Sequence, residues 1–182
     1  MNAFLTILLV LSGVVSAQEK QNEPETVKFV NLKHYAGLWY EIAKIPNRFQ
    51  KDCTGNTTAE YSLRDDGRIN VINSCDEGDG HRNVVEGIAR IVDPASNSKL
   101  EVSFFSILGI RPFWGDYWII GLDKDYQYSV VGSPDRKYGW ILSRTQKLSE
   151  EKLSEIWNIL KAHGYDPNSF RMTPQSGTAK KH

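Results

Sequence analysis

Several things are scarce in this sequence, and each shortage removes a class of function. Neither charge is in excess: 22 Lys and Arg stand against 22 Asp and Glu. A nucleic-acid binder would carry a basic stripe, so nucleic acid is not an expected partner. There is no zinc-ligand spacing, no Gly-rich phosphate loop and no G-x-S-x-G turn, and no cofactor is expected. The histidines His34, His81, His163 and His182 are scattered, and each reads as a surface or loop residue. Asp65 with Asp66 belongs to a turn, and Glu86 with Arg90 reads as a charge pair on a strand face. These patterns do not suggest an enzyme.

Long apolar runs are missing too. A helix crossing a bilayer takes ~20 residues, and Phe4 to Val15 is nearer the length of a signal-peptide core. Val15-Ser16-Ala17 offers small residues for a cut after Ala17. Residues 1–17 are therefore expected to be a signal peptide and 18–28 a polar linker. Leu11-Ser12-Gly13 resembles the start of a lipoprotein signal, but Val14 stands where the acylated cysteine belongs. The expectation is an exported protein without a lipid anchor, periplasmic or secreted, or peripheral at the outer membrane. Cysteine is limited to Cys53 and Cys75. In an exported chain they should be oxidised, and they flank an expected hairpin that can bring them together. Such a bridge contributes roughly 3 kcal/mol in the chain-entropy model. Two unpaired buried thiols are the alternative.

What is present is a series of short strands and turns. Expected strands cover Trp39–Ile45, Thr57–Leu63, Ile69–Cys75, Arg82–Val92, Leu100–Phe104, Tyr117–Leu122, Tyr126–Val131 and Tyr138–Arg144. One helix is expected, capped by Ser149 and stopped by Gly164. Its Leu153, Ile156, Trp157 and Leu160 form one apolar stripe, which has only the outside of the sheet to pack on. The tail, residues 175–182, is expected to be disordered. Eight up-and-down strands favour an all-β fold, and both a closed barrel and a sandwich fit that count.

Three motifs in order favour the barrel. Gly37-Leu38-Trp39-Tyr40-Glu41-Ile42-Ala43 resembles the G-x-W opening of lipocalins. Asp125-Tyr126 looks like the end of their T-D-Y turn, with Lys124 in place of Thr. Gly132–Arg136 and Trp140–Thr145 are similar to the last hairpin of bacterial lipocalins of the outer-membrane lipoprotein type, the apolipoprotein D-like branch. The resemblance covers residues 29–174. It implies an eight-stranded antiparallel barrel with one C-terminal helix packed outside. It also implies that Trp39 plugs the closed end, that Gly37 lets the backbone approach, and that Arg144 lies across Trp39. That cation–π contact would be worth ~0.5–2 kcal/mol when desolvated.

In such a barrel the first, third, fifth and seventh connections share the open end. The fifth reads Ser106-Ile107-Leu108-Gly109-Ile110-Arg111-Pro112-Phe113-Trp114, too apolar to be casually solvated. It reads as a lip that guides lipid or touches a membrane surface, as a tip folded back on the barrel, or as a contact between copies in a homodimer. Arg111 is a candidate for a phosphate or carboxylate head group. Tyr61, Phe104, Trp114, Tyr117, Tyr128 and Trp140 are candidates for the cavity wall. The resemblance implies a small hydrophobic guest, a fatty acid or lysophospholipid, and a role in lipid storage or transport and envelope maintenance under stress. A tetrapyrrole carrier, with His81 as the one plausible axial ligand, and a protein-interaction module are the rivals. Asn56-Thr57-Thr58 is a glycosylation sequon that matters only in a eukaryotic source and otherwise reads as a plain strand-start loop.

Overall fold

The computed structural model describes residues 23–78 and 80–176; the expected signal peptide lies outside them. Its strands are β1 (Gly37–Lys44), β2 (Cys53–Leu63), β3 (Ile69–Glu77), β4 (Arg82–Ile91), β5 (Lys99–Ser103), β6 (Gly115–Leu122), β7 (Tyr128–Gly132), β8 (Gly139–Ser143) and a two-residue β9 (Arg171–Met172). From β1 to β8 each strand pairs antiparallel with the next, β8 returns to β1, and β9 also pairs with β1. The sheet therefore closes into a barrel, and closure leaves no long edge to aggregate. The remaining elements are a one-turn helix α1 (Leu32–Tyr35), a helix α2 (Glu150–Ala162) and short 3-10 turns at Arg48–Gln50 and Pro167–Ser169.

Two apolar clusters divide the molecule. One fills the barrel, with Trp39, Ala59, Tyr61, Val71, Ile119 and Leu142 among its members. The other lies between the outer wall and α2, with Ile42, Trp118, Tyr128, Ile141, Ile156 and Leu160. The stripe on α2 forms for local reasons. Ser149 accepts a hydrogen bond from the Lys152 amide, and Glu150 and Glu151 face the positive helix end. At the other end Gly164 takes a positive φ, and the Tyr165 amide donates back to Leu160. Gly132 and Gly139 let the C-terminal segment approach closely: a Cβ there would collide with Tyr165 and Phe170.

The segments flanking the barrel are more ordered than expected. Residues of the expected linker pack on the wall, with the Val27 amide donating to Ile119 O and the Ser98 hydroxyl to Thr26 Oγ1. The C-terminal chain runs into the seam where β1 and β2 splay. Thr173 N donates to Ile42 O, Asn56 N to Pro174 O, and the Gln175 amide to Glu41 O and Thr57 O. Gln175 and Ser176 thus complete the wall rather than begin a free tail.

Candidate functional site

The closed end is built around Trp39, which is fully buried. Its indole donates to Tyr35 O, and the Arg144 guanidinium lies 3.7 Å above its ring. The turn of α1 leaves main-chain carbonyls without helical partners. Arg144 satisfies them, donating to His34 O, Tyr35 O and Ala36 O, and also to Leu38 O and Tyr126 O. Gly37 has φ +93°, which admits the turn into β1 beneath that side chain. Asp125 and Tyr126 form the neighbouring turn. Asp123 caps it by accepting from the Asp125 and Gln127 amides, and the Tyr126 hydroxyl accepts from Asn31 N.

Above Trp39 three tyrosines make a floor. The Tyr117 hydroxyl lies 2.7 Å from that of Tyr35 and 2.9 Å from that of Tyr61, and Tyr35 reaches Ser129 at 3.0 Å. Burial pushes the Tyr35 hydroxyl up to about 12 and raises Tyr61 and Tyr117 as well. All three stay neutral and available for hydrogen bonding. Beside them a cavity of about 20 Å³ is lined by Tyr35, Tyr61, Ile69, Ala89, Leu100 and Tyr117. That is room for about one water, so the lower barrel is filled.

Strand pairing shows which residues face inward above it. Asn73 lies opposite Ala59 and Val85, and Gly87 opposite Val71, so all share the inner face. The Phe104 ring lies over Gly87, filling the place of its absent Cβ. Trp140 packs on the interior cluster, and its indole donates to Gln50 Oε1. Glu41 and Lys44, paired with Leu142 and Trp140, face inward with them. Their side chains, 4% and 13% exposed, form an ion pair of 3.2 Å. Thr173 and Gln50 also donate to the Glu41 carboxylate, at 2.6 Å each.

The connection from β5 to β6 stands at the mouth. Ile107 and Ile110 bridge a tight turn with Leu108 and Gly109 at positive φ. Leu108 is 98% exposed, and Phe105, Ile107, Ile110 and Phe113 are also exposed. Phe49, on the first connection, adds to this apolar rim.

A Lipocalin-like domain profile matches residues 30–175. The chain belongs to the lipocalin family. Temperature-induced lipocalin-1 of Arabidopsis thaliana is 42% identical, over 87% of each chain. Outer membrane lipoprotein Blc of Escherichia coli K12 is 39% identical, over 91% of this chain and 92% of that one. Among solved structures, insecticyanin of Manduca sexta superposes with a TM-score of 0.68 at 25% identity, covering 84% of this chain and 85% of that one. Lipocalins bind small hydrophobic ligands as carriers and are not enzymes.

Within this lipocalin the expected wall residues divide. Tyr61, Tyr117, Phe104 and Trp140 are on the inner face. Tyr128 is not: it lies beneath α2, with its hydroxyl donating to Glu155. Trp114 is also outside, its ring 4.2 Å from the Arg90 guanidinium and its indole donating to Arg111 O. Arg111 is engaged within the fold. Its guanidinium donates to Ser103 O and braces the base of the lip. Arg90 pairs with Glu101 on β5 rather than with Glu86. Cys53 and Cys75 form a disulfide at the mouth end of β2 and β3. Asn56 of the sequon is held by its side chain, which donates to Asp76 and accepts from Ser176 N. Sequence reasoning missed Glu41 and Lys44 as interior residues. Their spacing, with a β-bulge between Glu41 and Ala43, carries no alternation signal.

Proposed function

We propose that this lipocalin buries the acyl chain of a fatty acid or lysophospholipid in the upper half of its barrel, with the polar end at the mouth, and so stores or carries it. The observation that carries this reading is the filled floor of Tyr35, Tyr61 and Tyr117 beneath inward-facing Phe104, Val85 and Trp140. At ~0.8 kcal/mol per buried methylene, ten methylenes offer roughly 8 kcal/mol before entropy costs. That corresponds to an affinity on the order of micromolar. The chain's outer membrane lipoprotein and apolipoprotein D relatives support a reading as an exported protein, with envelope maintenance under stress as its setting. The exposed lip at 106–114 supports transient contact with a membrane surface, where apolar side chains find an apolar phase.

Native mass spectrometry of protein from its own host, followed by extraction of the guest, tests the reading. A co-purified acyl lipid is the expected result, and a guest without any apolar moiety would sink it. A contact between copies through the lip is the competing use of the same residues. Deleting residues 107–113 should lower lipid uptake and leave the oligomeric state unchanged; a loss of dimer with full uptake would assign the lip to self-association.

A further inference from the structure

The mouth holds polar groups that the fold leaves unspent, and they lie together. Trp39 pairs with Ala59 across β1 and β2, and two residues further up the same register would set Glu41 opposite Thr57. The strands have parted there, and Gln175 bridges the two carbonyls instead. Thr58 points outward, to Ser74 and Arg82; the β2 bulge centres on Asn56, at positive φ, and alternation from Thr58 then turns buried Thr57 toward the barrel. Asn73 faces inward one strand further on, opposite Ala59. Glu41, Lys44, Thr57 and Asn73 thus occupy adjoining inward positions on β1, β2 and β3.

Their hydrogen bonding is incomplete. Thr57 Oγ1 and Asn73 Oδ1 are buried oxygens with no partner among the described residues, and Thr57 is 5% exposed. Native proteins seldom bury an oxygen that way, because it forfeits a hydrogen bond it had in water. Among the described residues Lys44 has one ion-pair partner, Glu41, while an ammonium carries three hydrogens. Glu41, in contrast, accepts from three side chains: Thr173 and Gln50 fix it, and it in turn positions Lys44. The quadrant therefore presents spare N–H donors beside spare oxygen acceptors, below a rim of apolar side chains.

We propose that this quadrant is a head-group site, in which Lys44 binds an anionic oxygen of the guest while Thr57 and Asn73 bind its hydroxyl or amine hydrogens. The site selects a chain whose polar end carries both an anion and a hydrogen-bond donor over a simple carboxylate or an uncharged ester. Glu41 is a positioning residue that holds the ammonium toward the cup. This assignment rests on the reading of the barrel as a lipid cup.

The test uses four lauroyl probes that share one chain: methyl laurate, ionised laurate, monolauroylglycerol and lauroyl-lysophosphatidate. Each displaces a fluorescent fatty acid from the full chain. In the wild type, laurate should bind roughly tenfold more tightly than the ester, the range of a charge-assisted hydrogen bond. The glyceride should gain several-fold, and lysophosphatidate should combine both gains. Glu41→Gln/Lys44→Met removes the pair together, so no lone charge is buried; it should erase the advantage of laurate and keep that of the glyceride. Thr57→Val/Asn73→Leu should do the reverse. A general folding defect would lower all four probes alike, so the crossed pattern is specific to the site. Equal binding of all four by the wild type, or equal losses across the probes in both variants, overturns the head-group site and leaves the lipid cup standing. A wild type that takes up none of the four removes the lipid cup and the head-group site together.

Discussion

The two ends of the barrel use the same chemistry in opposite ways. At the closed end every strong group is spent within the fold. Arg144 satisfies five main-chain carbonyls and covers Trp39, and three tyrosines share their hydroxyls with one another and Ser129. At the open end polar and apolar groups remain available. Leu108 and Ile110 face solvent, and three buried oxygens, Thr57 Oγ1, Asn73 Oδ1 and Gln175 Oε1, lack partners among the described residues. One end is arranged for stability and the other for contact with something else. Substitutions should separate them: changes at the closed end lower stability, and changes at the mouth alter binding.

The largest effect is expected at Trp39. Trp39→Ala removes a fully buried indole, its hydrogen bond to Tyr35 O and the surface under Arg144. Truncations of this size cost ~3–5 kcal/mol, or about 10 °C in Tm for a domain of this size. A melting temperature within a degree or two of wild type would refute the closed-end role. The disulfide comes next. Cys53→Ser/Cys75→Ser opens a cross-link between residues 22 apart, which the chain-entropy model values at roughly 3 kcal/mol. Urea unfolding of the oxidised and mutant proteins measures it, and equal midpoints would show that the β2–β3 hairpin needs no staple.

Why the closed end was legible in the sequence and the mouth was not follows from the same contrast. Gly37, Trp39, Asp125, Tyr126 and Arg144 sit where local geometry demands their residue types, so a motif marks them. The eight strands were readable because turns at Arg64–Gly67, Asp93–Asn97 and Gly132–Asp135 punctuate them. Side-chain facing was harder. All five residues of β7 are buried, since the barrel covers one face and α2 the other. That erases the alternation which would have placed Tyr128 outside. Bulges between Glu41 and Ala43 and between Ile119 and Gly121 break the period of two. Four-residue α1 and two-residue β9 are too short to carry any period. Trp114, apolar and beside the lip, reads as a wall residue in the sequence. Its outward stacking on Arg90 depends on a residue 24 positions earlier, brought near only by strand pairing.

A pH experiment gives a smaller effect, which Tyr35→Phe assigns to the closed end. The Tyr35 hydroxyl is raised from 10.0 to about 12 by burial. Its contribution is fully present below pH 10, where both states hold the proton. As pH rises from 10.0 toward about 12 the unfolded chain releases that proton first, so stability falls. A tenfold difference in proton affinity between the folded and unfolded chains corresponds to about 1.4 kcal/mol, and Tyr61 and Tyr117 act in the same direction. Tyr35→Phe should be less stable than wild type at neutral pH by about 1 kcal/mol, through its lost hydrogen bonds. Its alkaline slope should be shallower, because one titrating group is gone. Denaturant melts at stepped pH measure both, and parallel slopes would remove Tyr35 from the account.

The smallest effect on stability is expected where the effect on binding is greatest. Leu108→Asp/Ile110→Asp adds two charges to side chains that already face water. Exposed substitutions without a structural partner stay within ~0.5 kcal/mol, so the thermal melt should not move. Association with anionic or zwitterionic vesicles should fall at least roughly tenfold, since a charged side chain costs ~2.5–3.5 kcal/mol in a bilayer core and less near its surface. Uptake of a soluble lauroyl probe should stay near wild type, because neither residue lies on the inner wall. A drop in melting temperature would mean that the lip packs on the barrel in solution. Unchanged vesicle binding at unchanged stability would remove the lip as the membrane contact and leave delivery of lipid to diffusion of the guest itself. The three readouts thus separate packing, docking and uptake, which the sequence presents as one apolar stretch.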